Sequence, residues 1–575
     1  MAVKGETKIM KRVEGFPQPL GVTEIDGKIN FAVSVPAGKC CELLLYRAGK
    51  QEPVEVFEMK EKDGIGEVRF LALEGIRPDA YEYNYRIGGH MCVDPFAKGV
   101  ARTREFGVRP DVERHEIRGR IINAPYDWEG DSYLHIPYHE VVAYSLHMRG
   151  FTKHSSSKVK KKGTFLGAIE KIPYLQELGI NQIQCMPVYE FDEVTSGKTN
   201  YWGYGKGFYF APKTAYSASG KSDRELKDMV KEFHKAGIEV VLEMPFTSGV
   251  SIQLVMECLK YYMLEYHIDG FVLNPYVVSM EVLEADPLLK GVKLMQKDDA
   301  FQNIMRRFLK GDEGMVWDVM NALRHHTKED GKFNYITGHT GFTLQDLVSY
   351  DGKHNEANGE QNQDGPDYNY SWNCGVEGPS RKKNIMELRG RQVKNAFALL
   401  LTAQGMPCIL SGDEFGNSQK GNNNVYCQDN ETAWVDWNGL KKNEELHQYV
   451  KELIAFRKMH PALHKKNVLL EQDKFGCGMP DVSYHGENAW QAPAEVPSRQ
   501  LGVMYSGADV KDAVCYVAYN MHWNEHTYAL PTLSKKKQWY QVFSTAGTGC
   551  MEEVLVEEQK EIELEARSVV FLLGK

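Results

Sequence analysis

No run of about 18 apolar residues occurs in this chain of 575 residues, so no segment has the length that a membrane-spanning helix requires. The first residues, Met-Ala-Val-Lys-Gly-Glu-Thr-Lys, lack the apolar centre of a secretory leader, and a cytoplasmic location is expected. Long basic runs are missing as well. With 69 Lys and Arg against 78 Asp and Glu, the formal charge is −9, which argues against phosphate-driven binding of nucleic acid and favours a neutral or small-molecule ligand. The 11 cysteines are odd in number and scattered, with no Cys-x-x-Cys and no Cys/His spacing of a zinc site, so reduced core thiols are expected and no metal or cofactor is implied. No glycine-rich phosphate turn supports a dinucleotide-binding sheet. Internal repeats and low-complexity segments are absent too, and the lysine- and serine-rich stretch from Lys153 to Lys162 reads as a solvated loop.

The chain is long enough for two to four domains. Residues 1–105 read as an all-β unit: Ile29 to Val35, Cys41 to Tyr46, Val68 to Leu73 and Tyr81 to Ile87 are short alternating runs between Gly, Pro, Asp and Lys turns, the pattern of a sandwich. Cys40 and Cys41 fall on opposite faces of one strand, which argues against a ligand pair. After a linker with Pro125 to Gly130, strands and helices alternate over 106–465. Val141 to His147, Ile180 to Val188 and Ile238 to Leu242 are strands, and Asp223 to Ala236 is an amphipathic helix. Such alternation over some 300 residues favours a closed (β/α)8 TIM barrel, with an open doubly wound sheet as the alternative. Residues 466–575 return to short strands, such as Ala513 to Tyr519 and Ser568 to Leu573, and predict a C-terminal β-sandwich.

The stretch His267-Ile268-Asp269-Gly270-Phe271-Val272-Leu273-Asn274-Pro275-Tyr276 organises the barrel. Phe271, Val272 and Leu273 are strand formers, Pro275 ends the ladder, and Asn274 is left at the strand's C-terminal end, which in a barrel of this kind faces the functional mouth. It resembles the nucleophile strand of glycoside hydrolase family 13, the α-amylase superfamily, with Val272 at the usual arginine and Asn274 at the usual aspartate. Ser145 to Thr152 resembles the family's first-strand motif and Asn200-Tyr201-Trp202-Gly203-Tyr204 its substrate-cleft motif. The blocks Ser349 to Gly378 and Gly412 to Trp437 resemble the isoamylase and bacterial glycogen-debranching branch. Phe16 to Gly21, Ile29 to Val33 and Val93 to Ala97 are similar to that branch's N-terminal early-set, or carbohydrate-binding-module-48, domain.

The family's retaining chemistry requires a carboxylate nucleophile and a carboxylic acid about 5–5.5 Å apart. Aligned by the resemblance, the nucleophile position holds Asn274. Lys293-Leu294-Met295-Gln296-Lys297-Asp298-Asp299 resembles the fifth-strand motif and puts Lys297 at the acid; a slip of one or two residues would bring Asp298 or Asp299 there instead. Tyr335 to Leu344 keeps His339 and puts Thr340 where an aspartate grips sugar hydroxyls. The third-strand motif has become Glu243-Met244-Pro245-Phe246-Thr247-Ser248.

Loss of general acid catalysis alone costs about 10²–10⁴-fold. A lysine about 4 Å from a developing oxocarbenium adds roughly 4 kcal/mol of repulsion at an effective dielectric near 20. The expected protein is therefore a catalytically deficient relative that binds α-glucan through Tyr204, Trp202 and His339, or that partners an active debranching relative. Two rivals stay open: an α-1,6-glucosidase or transglycosylase working with displaced carboxylates at Glu243, Asp298, Asp299 or Asp413, and a scaffold that has lost sugar binding.

Overall fold

The computed structural model describes residues 10–102, 104–108, 117–122, 125–534, 536–547 and 551–575. Two antiparallel sheets face each other at the N-terminus. One runs, in spatial order, Lys11–Val13, Val68–Glu74, Lys28–Ser34 and Gly21–Ile25, and the other is built on Cys41–Arg47 and Tyr81–Ile87. Alternation places Phe31, Leu43, Leu45, Leu71, Leu73 and Tyr83 between them as a core of their own. Cys41 opens its strand and is buried, whereas Cys40, just before the strand, is exposed. A short strand at Gly119–Arg120, beyond the boundary expected at 105, pairs with Tyr83 and Glu82 and extends this unit.

The barrel is a parallel sheet of seven strands among the described residues: Ala143–Leu146, Gln182–Cys185, Glu239–Glu243, Gly270–Val272, Lys293–Lys297, Lys332–Phe333 and Cys408–Leu410, hereafter the first to the seventh. The seventh pairs with the first, and Asn334 closes the ring by a single bridge to Pro407, just before the seventh strand, its N–H donating to the Met406 carbonyl at 2.8 Å and its carbonyl accepting from the Cys408 N–H at 2.8 Å. Ala143, Val241, Val272, Met295, Phe333 and Cys408 fill the interior, so the barrel is packed rather than hollow.

Eight strands were expected. Between the fifth and sixth the chain forms the helices Asp299–Lys310 and Val316–Arg324 instead of a strand. The reason is local: Asp298 caps the first helix by accepting from the Phe301 N–H at 3.0 Å, and Phe301, Met305, Phe308 and Leu309 recur at helical spacing.

A six-stranded antiparallel sheet centred on Val514–Asn520 and Ser568–Gly574 follows, with a hairpin-like pair of His526–Ala529 and Glu561–Leu564 beside it. The helix Lys383–Leu401 ties this unit to the barrel: Asn395 donates to the Arg567 carbonyl at 2.8 Å and Arg391 to the Ala566 carbonyl at 2.8 Å. All ten described cysteines are free. No helix among the described residues is long and apolar enough to cross a membrane.

Candidate active-site cleft

The C-terminal ends of the third, fourth and fifth strands open into a cleft of about 680 Å³. It brings together Glu243, Asn274, Lys297, Asp298, Asp299, His339, Thr340 and Tyr204, residues from five separate sequence motifs. The strand geometry accounts for this. Glu243, Lys297 and Asn274 stand at or just past the ends of neighbouring parallel strands, where side chains leave the ladder and point to the mouth.

Four of these groups form one hydrogen-bonded network. Glu243 Oε1 accepts from the Tyr204 hydroxyl at 2.5 Å and from Lys297 Nζ at 3.0 Å. The Tyr204 oxygen lies 2.6 Å from His339 Nε2, and Lys297 Nζ lies 3.5 Å from His339 Nδ1. Since the Tyr204 proton goes to Glu243, the His339 Nε2–H donates to the tyrosine oxygen and leaves Nδ1 bare toward the ammonium. Burial pushes the Glu243 carboxyl up, yet the Lys297 charge, His339 and the bonds from Tyr204 and Lys297 outweigh it and bring the group down to about 2. Burial and the adjacent Lys297 charge drive His339 down to about 3, and burial beside Glu243 holds the Tyr204 hydroxyl protonated. At neutral pH Glu243 is thus a carboxylate committed to two donors, and His339 is neutral.

The remaining carboxylates have other duties. Asp298 caps a helix and is 9% exposed; Asp299 is exposed but accepts from the Tyr335 hydroxyl. Asp413, offered as a displaced carboxylate, is buried away from the mouth. It accepts from the Thr337 hydroxyl and from the Leu344 N–H at 2.9 Å, and burial pushes it up to about 7. Asn274 is exposed, and its side-chain oxygen accepts from the Tyr276 N–H at 3.0 Å, a turn that holds the loop after the fourth strand. Thr340 lines the cleft and is exposed.

Trp202 was expected to present a face to sugar. It is 6% exposed and packs edge-on against the His339 ring at 5.0 Å, so it props the network from behind. The exposed aromatics of the cleft are Tyr276, 94% exposed, and Tyr368, 85% exposed, neither singled out in the sequence. Their signal was a tyrosine one or two residues after a proline, Pro275-Tyr276 and Pro366-Asp367-Tyr368, in the matching blocks. The lining also includes five amides: Asn274, Gln296, Gln302, Asn303 and Asn369.

For metals, one group among the described residues gathers ligand-type atoms within 4.8 Å: His460, Asp512 and Cys515. It lies outside the cleft. The Asp512 oxygens already accept from His460 Nδ1 at 2.9 Å, Ala462 N at 3.1 Å and Ala513 N at 2.7 Å.

Known proteins resemble this chain over most of its length. The rice chloroplast protein Isoamylase 1 (Oryza sativa subsp. japonica) is 30% identical across 88% of this chain and 79% of its own length, and maize Isoamylase SU1 (Zea mays) is 31% identical across 77% and 74%. The chain belongs to the isoamylase and glycogen-debranching group of glycoside hydrolase family 13. A Haemophilus influenzae relative, described as a glycogen operon protein GlgX homolog, is 30% identical across 78% of the chain and 85% of its own. Among solved structures, the catalytic module of the pneumococcal glycogen-degrading virulence factor SpuA superposes with a TM-score of 0.77 at 17% identity, over 97% of each chain. Paenibacillus barengoltzii pullulanase in complex with maltohexaose and α-cyclodextrin gives 0.74 at 20% identity, over 97% of this chain and 95% of its own. These two show the fold alone, a TIM barrel flanked by β domains. No family model matches.

Proposed function

We propose that this isoamylase-group chain binds α-glucan in its barrel mouth without hydrolysing it. The observation that carries the reading is the Glu243–Lys297 contact at 3.0 Å inside a closed network with Tyr204 and His339. Hydrolysis by the family's route needs one carboxylate free to attack and one carboxylic acid free to give up a proton. Glu243, held near 2, is no proton donor at neutral pH, and its Oε1 already accepts from an ammonium and a phenol. Asn274 and Thr340 carry no carboxylate.

Binding makes lesser demands. Tyr276 and Tyr368 offer exposed ring faces on which a pyranose can lie, and the cleft amides, with charged neighbours such as Asp299, Arg306 and Lys332, supply donors and acceptors for hydroxyls. The named relatives, isoamylases and glycogen-operon proteins, support α-glucan as the ligand class. In the same reading the chain acts beside an active debranching relative, presenting branched glucan to it.

Affinity electrophoresis in glycogen-containing gels tests the reading. The chain is retarded, and the Tyr276→Ala/Tyr368→Ala variant loses most of the retardation, since each stacked ring contributes roughly 1 kcal/mol. Unretarded migration of the wild-type chain sinks the proposal in favour of a scaffold that has lost sugar binding.

A further inference from the structure

A second cavity, of about 480 Å³, lies between the N-terminal sandwich and the barrel helix Ser222–Lys235. Its volume falls within the range of about 300–1,000 Å³ typical of small-molecule sites, and its position at a domain junction is a common one for them. The charge of its wall is distinctive. Arg120, Lys221 and Arg224 line it, and none of the three makes an ion pair among the described residues. By contrast, Lys227 is paired with Glu265, and Glu82 lies 3.6 Å from Arg118.

Lys221 and Arg224 flank the first turn of that 14-residue helix, which has no side-chain cap hydrogen bond, so its leading N–H groups and the positive end of its dipole add to the same side. Asp79 and Asp223, also without ion pairs among the described residues, supply acceptors, while Tyr81 and Pro125 supply apolar wall. Cations suited to a compact dianion, carboxylates suited to hydroxyl donors, and a ring-sized apolar surface together describe one ligand chemistry.

We infer that this junction binds a phosphorylated monosaccharide, at a site separate from the barrel mouth. The phosphate oxygens accept from Arg120, Lys221 and Arg224, the sugar hydroxyls donate to Asp79 and Asp223, and no bond is made or broken. Because the cavity takes one wall from the sandwich and the other from a barrel helix, an occupant bridges the two units and holds them together.

The test is isothermal titration calorimetry of the full chain at low salt with glucose 6-phosphate, inorganic phosphate and maltose in turn. Saturable binding of glucose 6-phosphate is expected, with inorganic phosphate weaker and maltose not competing. Lys221→Ala/Arg224→Ala weakens it roughly tenfold or more, as loss of charge-assisted hydrogen bonds requires. Both side chains are exposed, so that variant keeps its fold; Arg120→Ala, on the other wall, gives an independent reading with the same expected loss. Tyr276→Ala/Tyr368→Ala leaves the binding unchanged. No saturation with glucose 6-phosphate, unchanged affinity in the junction variants, inorganic phosphate binding as tightly, or loss of binding in the cleft variant would each overturn the inference. Apart from that last outcome, which would move the sugar phosphate into the barrel mouth, these results do not bear on whether the mouth holds glucan.

Discussion

Glu243 and Lys297 settle the character of the cleft between them, and their partnership has a measurable signature. The carboxyl is shifted from the ordinary 4.5 to about 2, so its contribution to stability is complete above pH 4.5 and is lost as the pH falls toward 2. Replacing Lys297 with Met removes the main opposing charge. The variant is expected to lose about 1–3 kcal/mol at neutral pH, because a buried carboxylate is left with Tyr204 alone, and the loss shrinks below pH 4.5. Equilibrium urea unfolding of both proteins from pH 3 to 7 checks this; an equal penalty at all pH values would contradict it. At this scale the sequence was informative wherever a motif fixed the register. Asn274, Thr340 and His339 could be placed from their flanks, and the structure sets Lys297 among the cleft residues with Asp298 turned to capping. Whether a residue faces ligand or core was not legible: Trp202 and Tyr204 stand two apart in one motif, yet one is buried behind His339 and the other bonds Glu243.

Two elements beside the barrel carry their own consequences. The turn Asp413–Phe415 follows the seventh strand, and burial raises both Asp413 and Glu414 to about 7. Groups raised in the folded state stabilise it below their ordinary values, and the benefit is lost as the pH rises through about 7. Asp413→Asn therefore flattens the fall in melting temperature between about pH 4 and 7, by an amount that scanning calorimetry reads directly; an unchanged slope would contradict the assignment. The helix Glu444–Met459 carries Arg457, whose guanidinium is buried and donates to the carbonyls of Leu401, Ala403, Leu463 and Gly405 at 2.6–3.2 Å. Arg457→Leu leaves those acceptors unpaired and is expected to cost about 3 kcal/mol or more in denaturant unfolding. Periodicity made the long helices and hydrophobic strands legible. It did not reveal that the barrel ladder has seven strands among the described residues, because the helices between Lys297 and Lys332 are specified by a cap and a face rather than by any break a strand would leave.

Across the whole molecule the cores are distributed unequally. The N-terminal sandwich packs around its own cluster, whereas barrel residues such as Phe271 and C-terminal residues such as Tyr519 and Phe571 share one continuous core. Two calorimetric transitions are expected, a smaller one for the sandwich and a larger one for barrel and C-terminal sheet together. Three resolved transitions would contradict this. The order of sandwich, barrel and sandwich was legible from turn spacing, because each architecture repeats its own period. The fusion of the last two was not, because a shared core is made by contacts such as Thr402 to Tyr519, far apart in the chain.

On this reading the barrel mouth holds glucan and leaves it intact. The measurement that tests it most directly is the release of new reducing ends from phosphorylase-limited glycogen, incubated with the purified chain at high protein concentration and with co-sedimentation followed in the same tubes. Protein that pellets with the glucan, and no reducing ends above the protein-free control, are expected. New ends that disappear in Glu243→Gln would contradict it and would make Glu243 a working carboxylate.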